Sequence, residues 1–178
     1  MAKLLIHNGV DVNQRDEEGN TPLGRAALHA RADIMRLLLD AGAEPEKTEI
    51  CLGVDSGSTP LFTAAGWANK AAIKLLVEKG ADPNRQELER GDTPLHDAIS
   101  ECNYDTIKPL LKAGADPNLA NKRGETSLHD AAKLGQTYSV KLLMNGGADT
   151  KKVDKKGKTA LCYAREEGHR DIIKLLTR

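Results

Sequence analysis

Gly-x-Thr-x-Leu occurs five times in 178 residues: GNTPL from Gly19, GSTPL from Gly57, GDTPL from Gly91, GETSL from Gly124 and GKTAL from Gly157. Successive copies are 38, 34, 33 and 33 residues apart, so one unit of 33 residues is reused, with five extra residues in one copy and one in another. A unit this short cannot enclose a core of its own. Its apolar face must be covered by its neighbours, which predicts an elongated stack.

The same grammar recurs within each unit. A glycine that tolerates positive φ precedes Thr21, Thr59, Thr93, Thr126 or Thr159 by two residues. The threonine hydroxyl is placed to cap a helix, and Pro22, Pro60 and Pro94 then fill the first helical position, where a missing N–H costs nothing. Small pairs such as Ala26-Ala27, Ala64-Ala65 and Ala131-Ala132 let neighbouring first helices approach closely. A second apolar segment follows: Ile34, Leu37 and Leu38 in one unit, Ile107, Leu110 and Leu111 in another, at spacings that give a helix one buried face. Gly42, Gly80, Gly114 and Gly146-Gly147 close these helices, and Ala-Asp-Pro-Asn at Ala81 to Asn84 and Ala115 to Asn118 leads into a hairpin-like turn.

The full Thr-Pro-Leu-His-x-Ala of Thr93 to Ala98, with the Gly-Ala-Asp-Pro-Asn that precedes it, resembles the ankyrin repeat. The resemblance covers essentially the whole chain and implies an all-α solenoid of stacked helix-turn-helix units with protruding β-hairpin-like loops. On this pattern residues 1–15 are a partial unit, 16–53, 54–87, 88–120 and 121–153 are full units, and 154–178 are a C-terminal capping unit. The partial unit has no first helix to cover Leu4, Leu5 and Ile6, which suggests a frayed cap or a piece of a longer array. Pro109 is expected near the start of its helix, removing at most one early hydrogen bond if Asp105 is the cap. Cys162 and Arg165 depart from the pattern, and Arg165, Glu166, Arg170 and Arg178 suit a polar end.

Composition narrows the function classes. The 26 basic and 26 acidic side chains cancel, so the chain lacks the general positive field of a nucleic-acid or anionic-membrane binder. No apolar run approaches the roughly 20 residues of a membrane span. Cys51, Cys102 and Cys162 are an odd number at wide spacing, which argues against a disulfide framework or zinc knuckle and for a reducing compartment, cytoplasmic or nuclear. No Gly-x-Ser-x-Gly elbow, phosphate-binding loop or His-Glu-x-x-His helix occurs, so no catalytic residue, cofactor site or metal site is assigned. The pairs His96-Asp97 and His129-Asp130 have the residue types of an acid–base dyad. They occupy one slot in consecutive units, where the resemblance implies a structural histidine bonded to the adjacent loop. His7, His29 and His169 are expected to be scattered and solvated.

The resemblance also implies where a partner is held: on the tips of the protruding loops and the exposed ends of the first helices, which line a concave face. Mapped onto this chain, the tips are Glu17-Glu18, Asp55-Ser56, Glu89-Arg90, Lys122-Arg123 and Lys155-Lys156, and the helix ends are Leu28-His29, Gly66-Trp67, Ser100-Glu101, Lys133-Leu134 and Glu166-Glu167. The candidate contact residues are therefore Trp67, Leu28, His29, Glu101, Leu134, Arg90, Lys122, Arg123, Lys155 and Lys156. Trp67, the single tryptophan, stands out because the repeat pattern exposes it and Trp is enriched at binding hot spots; the alternative is that it tucks against a neighbouring unit. Residues 1–90 carry 11 basic and 14 acidic side chains and residues 91–178 carry 15 and 12. The cluster Lys151, Lys152, Lys155, Lys156 and Lys158 gathers positive charge at the last loop, to steer an acidic partner or simply to be solvated. The inserted stretch between Gly42 and Gly57 lengthens a loop beside Trp67, as a partner contact or as drift in a tolerant loop. The expected function is a monomeric protein-protein interaction module without catalysis or small-molecule substrate. A recognition part of a larger regulatory or effector protein is the alternative, and an enzyme with an unrecognised site is the remote one.

Overall fold

The computed structural model describes residues 2–51 and 53–177, without the side chains of Ala2, Leu5 and Cys51. Met1, Leu52 and Arg178 lie outside the described residues, and so do the parts of the expectations above that fall on them. Among the described residues a lone helix α1 (Ala2–His7) is followed by five helix pairs. They are α2 (Pro22–Leu28) with α3 (Ala32–Asp40), α4 (Pro60–Gly66) with α5 (Lys70–Glu78), α6 (Pro94–Ser100) with α7 (Tyr104–Lys112), α8 (Ser127–Lys133) with α9 (Thr137–Asn145), and α10 (Ala160–Glu166) with α11 (Arg170–Leu176). The first helices pack on one another in chain order, as do the second helices, giving the two-layered, all-α solenoid that the repeat implied.

Helices of seven residues are unstable alone, so capping and packing must define them. Thr21 Oγ1 accepts from Gly24 N at 3.0 Å and Thr59 Oγ1 from Phe62 N at 3.3 Å. At Thr93 the cap is completed by a side chain: His96 Nδ1 accepts from Thr93 N at 3.2 Å. Within each pair the chain turns through a left-handed residue, which is Ala30, Ala68 and Cys102 in the first three pairs and Gly135 and Gly168 in the last two. The core is thin. Leu23, Leu61, Leu95 and Leu128 from the first helices meet Met35, Ile73, Ile107 and Leu143 from the second, all at most 1% exposed, with Ala27, Ala65, Ala98 and Ala132 fully buried where first helices touch.

Polar side chains in fixed slots tie each unit to its neighbours. The caps of the second helices reach back to carbonyls at the end of the first helix of the unit before: Asn69 Nδ2 to Ala27 O at 3.1 Å, Asn103 Nδ2 to Gly66 O, Gln136 Nε2 to Ile99 O at 2.7 Å, and His169 Nε2 to Lys133 O at 3.1 Å. His169 is thus half-buried and structural, which corrects its assignment as a scattered, solvated histidine. Asn13, Asn84 and Asn118 reach forward, each donating to a glycine carbonyl (Gly42, Gly114, Gly147) and accepting from the N–H of Glu44, Asp116 or Asp149. Glu46 holds the same slot at the remaining junction; its carboxylate accepts from Asp82 N at 2.9 Å but has no proton to donate to Gly80 O.

Two expectations about local geometry are corrected. Asn103, not Asp105, is the cap of α7, so Pro109 lies inside the helix and removes the bond to the Asp105 carbonyl beyond the first turn. The hairpin of the second loop does not turn at Asp55-Ser56. Each loop closes with one backbone bond, Asp16 N to Asn20 O, Glu87 N to Asp92 O, Asn121 N to Glu125 O and Asp154 N to Lys158 O, and its counterpart here is Glu49 N to Ser58 O at 2.9 Å. The five extra residues fall inside that closure. They build an antiparallel ladder of β1 (Ile50–Cys51) and β2 (Val54–Asp55), with Ile50 opposite Asp55 and Cys51 opposite Val54, so Asp55 stands on the returning strand and Gly53 in the turn.

Candidate functional site

The first helices all run from the hairpin edge towards a common end, and the residue after each one caps it: His29, Trp67, Glu101, Leu134 and Glu167. Because the helices stack in order, these five side chains form a row. All five are exposed, Trp67 by 65% and Leu134 by 50%. Trp67 therefore does not tuck against a neighbouring unit. Leu28, the last residue of α2, is half-buried instead; with Phe62 it floors a depression whose rim includes Trp67 and Asp97. Trp67 and Leu134 are separated by Glu101, so the row alternates apolar and acidic side chains.

The predicted loop-tip residues Arg90, Lys122, Arg123, Lys155 and Lys156 are all exposed, but the structure divides them. Arg90 pairs with Asp92 at 3.2 Å and Arg123 with Glu125 at 2.5 Å, and Lys122 Nζ donates to Leu88 O at 2.5 Å. The tips are also linked through their backbones, Lys122 N to Arg90 O and Lys155 N to Arg123 O. Among the described residues, only Lys155 and Lys156 of these five hold side chains with no polar partner. The tips thus serve the stacking of the loops before they serve a partner.

The two His-Asp pairs separate in role. His96 and His129 are buried, and each Nδ1 accepts from a threonine N–H, which leaves the proton on Nε2 to donate to Glu125 O and Lys158 O, both at 3.1 Å. With both nitrogens engaged, neither ring is placed to accept a proton from a substrate; burial also holds the His96 imidazole below its ordinary pKa. The aspartates lie one residue further round the helix, Asp97 on the depression beside Trp67 and Asp130 in the same slot of the next unit. Asp97 is half-buried, with its carboxylate against the Gly66 Cα, where a Cβ would collide with it. Burial, reinforced by Glu101, pushes its carboxyl up to about 7. Asp130 is also pushed up to about 7, by burial first and then by the charges of Glu125 and Asp92. Glu49 repeats the arrangement over Gly24, its carboxyl raised by burial. None of the three carboxylates is hydrogen-bonded or ion-paired by a side chain among the described residues, in contrast to Asp16, which binds Arg25 at 2.9 Å. In the last unit Tyr163 occupies this slot and donates to Asp154 Oδ2 at 2.5 Å.

The sequence brings Asp97 and Asp130 forward only as partners of His96 and His129, and gives Glu49, Tyr104 and Tyr138 no role. The two tyrosines sit in the first turns of α7 and α9, edge to face at 6.1 Å and exposed by 41% and 58%. Their spacing of 34 residues on successive helices was the available signal. No group of three or more His, Cys, Asp or Glu among the described residues is arranged to hold a metal ion, and no helix is long and apolar enough to cross a membrane.

Family comparison gives the same architecture. A model described as ankyrin repeats (3 copies) matches residues 48–121 and 95–178, and one described as ankyrin repeats (many copies) matches residues 1–39. The chain is similar to Protein fem-1 homolog C from Homo sapiens, 44% identical over 50 residues, which is 28% of this chain and 8% of that protein. It is similar to Protein phosphatase 1 regulatory subunit 27 from Homo sapiens, 45% identical over 47 residues, 26% of this chain and 30% of that one. Putative ankyrin repeat protein FPV219 from Fowlpox virus is 49% identical over 41 residues, 23% of this chain and 9% of the viral protein. The aligned stretches thus span under a third of each relative.

Proposed function

The chain belongs to the ankyrin-repeat family, whose arrays are protein-interaction modules, and from that premise we propose that it holds a partner protein on the concave face formed by the ends of its first helices, without catalysis. The observation that carries this reading is Trp67: a large aromatic side chain, 65% exposed, on a helix cap fixed by backbone bonds from its own N–H to Thr63 O and from the N–H of Ala68 to Ala65 O. An indole held on a rigid scaffold loses little freedom on binding, which is what makes such residues anchors. His29, Glu101 and Leu134 extend the contact along the row, and Lys155 and Lys156 extend it at the last loop. The likeness to a protein named as a phosphatase regulatory subunit supports a role in recognition, and three widely spaced cysteines favour a reducing compartment, cytoplasmic or nuclear.

Affinity capture from lysate, comparing the wild-type chain with a folded Trp67→Ser, Leu134→Ser variant, tests the reading. Loss of specific proteins from the variant supports the inner-helix row; equal recovery moves the contact to the loops or the outer helices and refutes it.

A further inference from the structure

Around Trp67 the groove is chemically biased. Gly66, Trp67, Asp97 and Glu101 line one depression at the junction of α4 and α6. Asp97 and Glu101 are one helical turn apart on α6, so two carboxylates share a face and repel each other. The cations nearby are already engaged: Arg25 with Asp16 and Glu18, Arg90 with Asp92, Arg123 with Glu125, while Lys133 lies over the Tyr163 ring at 5.9 Å. What the depression lacks is a positive charge, and what it offers one is an indole face together with the half-buried Asp97 carboxylate and the exposed carboxylate of Glu101. Cation–π attraction is strongest at Trp, and charge-assisted hydrogen bonds gain most where water is partly excluded.

Resting on the reading of this row as the docking face, we propose that the partner presents a basic segment. One arginine or lysine of that segment sits between Trp67 and the carboxylates of Asp97 and Glu101, and a second reaches Asp130. Asp97 and Asp130 occupy the same slot on adjacent packed helices, whose axes lie about 8–10 Å apart. A polyproline II segment rises about 3.1 Å per residue with three residues per turn, so side chains three apart lie about 9 Å apart on one side. Basic residues at i and i+3 match the two seats, and an acidic segment meets repulsion at both that neighbouring cations offset only in part.

Three acetylated, amidated hexapeptides of the form X-Pro-Pro-X-Pro-Pro, with X as Arg, Glu or Leu, are titrated into the full chain while the emission of its single tryptophan is followed. The arginine peptide is expected to bind at least tenfold tighter than the other two. That preference is expected to disappear in Asp97→Asn, Glu101→Gln, checked for folding by circular dichroism, and to weaken several-fold in Asp130→Asn. Equal or tighter binding of the leucine or glutamate peptide overturns the proposal, as does an arginine peptide whose affinity survives Asp97→Asn, Glu101→Gln. Absence of any response to the arginine peptide overturns it too. In each of these cases a Trp67- and Leu134-dependent capture of partners still supports the broader docking reading, so the two failures are distinguishable.

Discussion

Replacing Asp130 by asparagine should stabilise the array at pH 8 and leave it unchanged near pH 4. The carboxyl of Asp130 is pushed from 3.8 to about 7 because burial penalises its charge and Glu125 and Asp92 add repulsion; Arg123 and Lys133 offset only part of this. A folded-state pKa above the unfolded one means that the folded chain holds the proton more tightly. The linked stability is fully present below pH 3.8 and is lost as pH rises through about 7. At about 1.36 kcal/mol for each tenfold change in proton affinity, a rise from 3.8 to about 7 sets a ceiling of roughly 4 kcal/mol. The side chain retains some exposure, so water screens part of that charge, and a gain of about 2 kcal/mol at pH 8 is the expected outcome. Urea unfolding at pH 4 and pH 8, read by far-ultraviolet circular dichroism, measures the difference directly. A gain of equal size at both pH values, or a loss at pH 8, would refute the assignment of the penalty to the ionised carboxylate.

Two smaller perturbations follow from the slots. Glu46→Asn supplies the donor that Gly80 O lacks and should raise stability by about 0.5–1 kcal/mol; an unchanged denaturation midpoint would show that water already satisfies that carbonyl fully. Ala30→Gly removes a Cβ from a residue held at φ 53°, where left-handed geometry costs about 1–2 kcal/mol, against roughly 0.4–1 kcal/mol of added freedom in the unfolded chain, for a net gain of about 0.5–1 kcal/mol; destabilisation in the same assay would show the turn to be unstrained.

Most of this architecture was legible because its signals are local. Thr-Pro fixes where a first helix starts, apolar spacing fixes its second helix, and the ends at His29, Trp67, Glu101 and Leu134 follow by counting. Counting is also what failed at the insertion. The period located five extra residues but not their position inside the hairpin, because the closing bond from Glu49 to Ser58 depends on backbone pairing and not on a motif. The cap of α7 was misplaced by two residues for a related reason: Asn103 and Asp105 are both acceptable caps by type, and only the bond of Asn103 to the preceding helix distinguishes them. The groove carboxylates were hidden by their neighbours. Reading His96-Asp97 as one structural unit was right for the histidine, which is buried, but adjacent residues on a helix point about 100° apart, and the aspartate faces the groove.

The forward reach of the buried histidines has a consequence for how the chain is made. His96 and His129 each complete their hydrogen bonding on a carbonyl 29 residues further along, at Glu125 and Lys158. A ribosome adding about 5–20 residues per second delivers that carbonyl roughly 1.5–6 s after the histidine. Through that interval each of these two units carries a ring nitrogen with no carbonyl to receive its proton and an apolar flank with no cover. The growing end therefore stays open until its successor emerges, and the array closes behind synthesis one unit late.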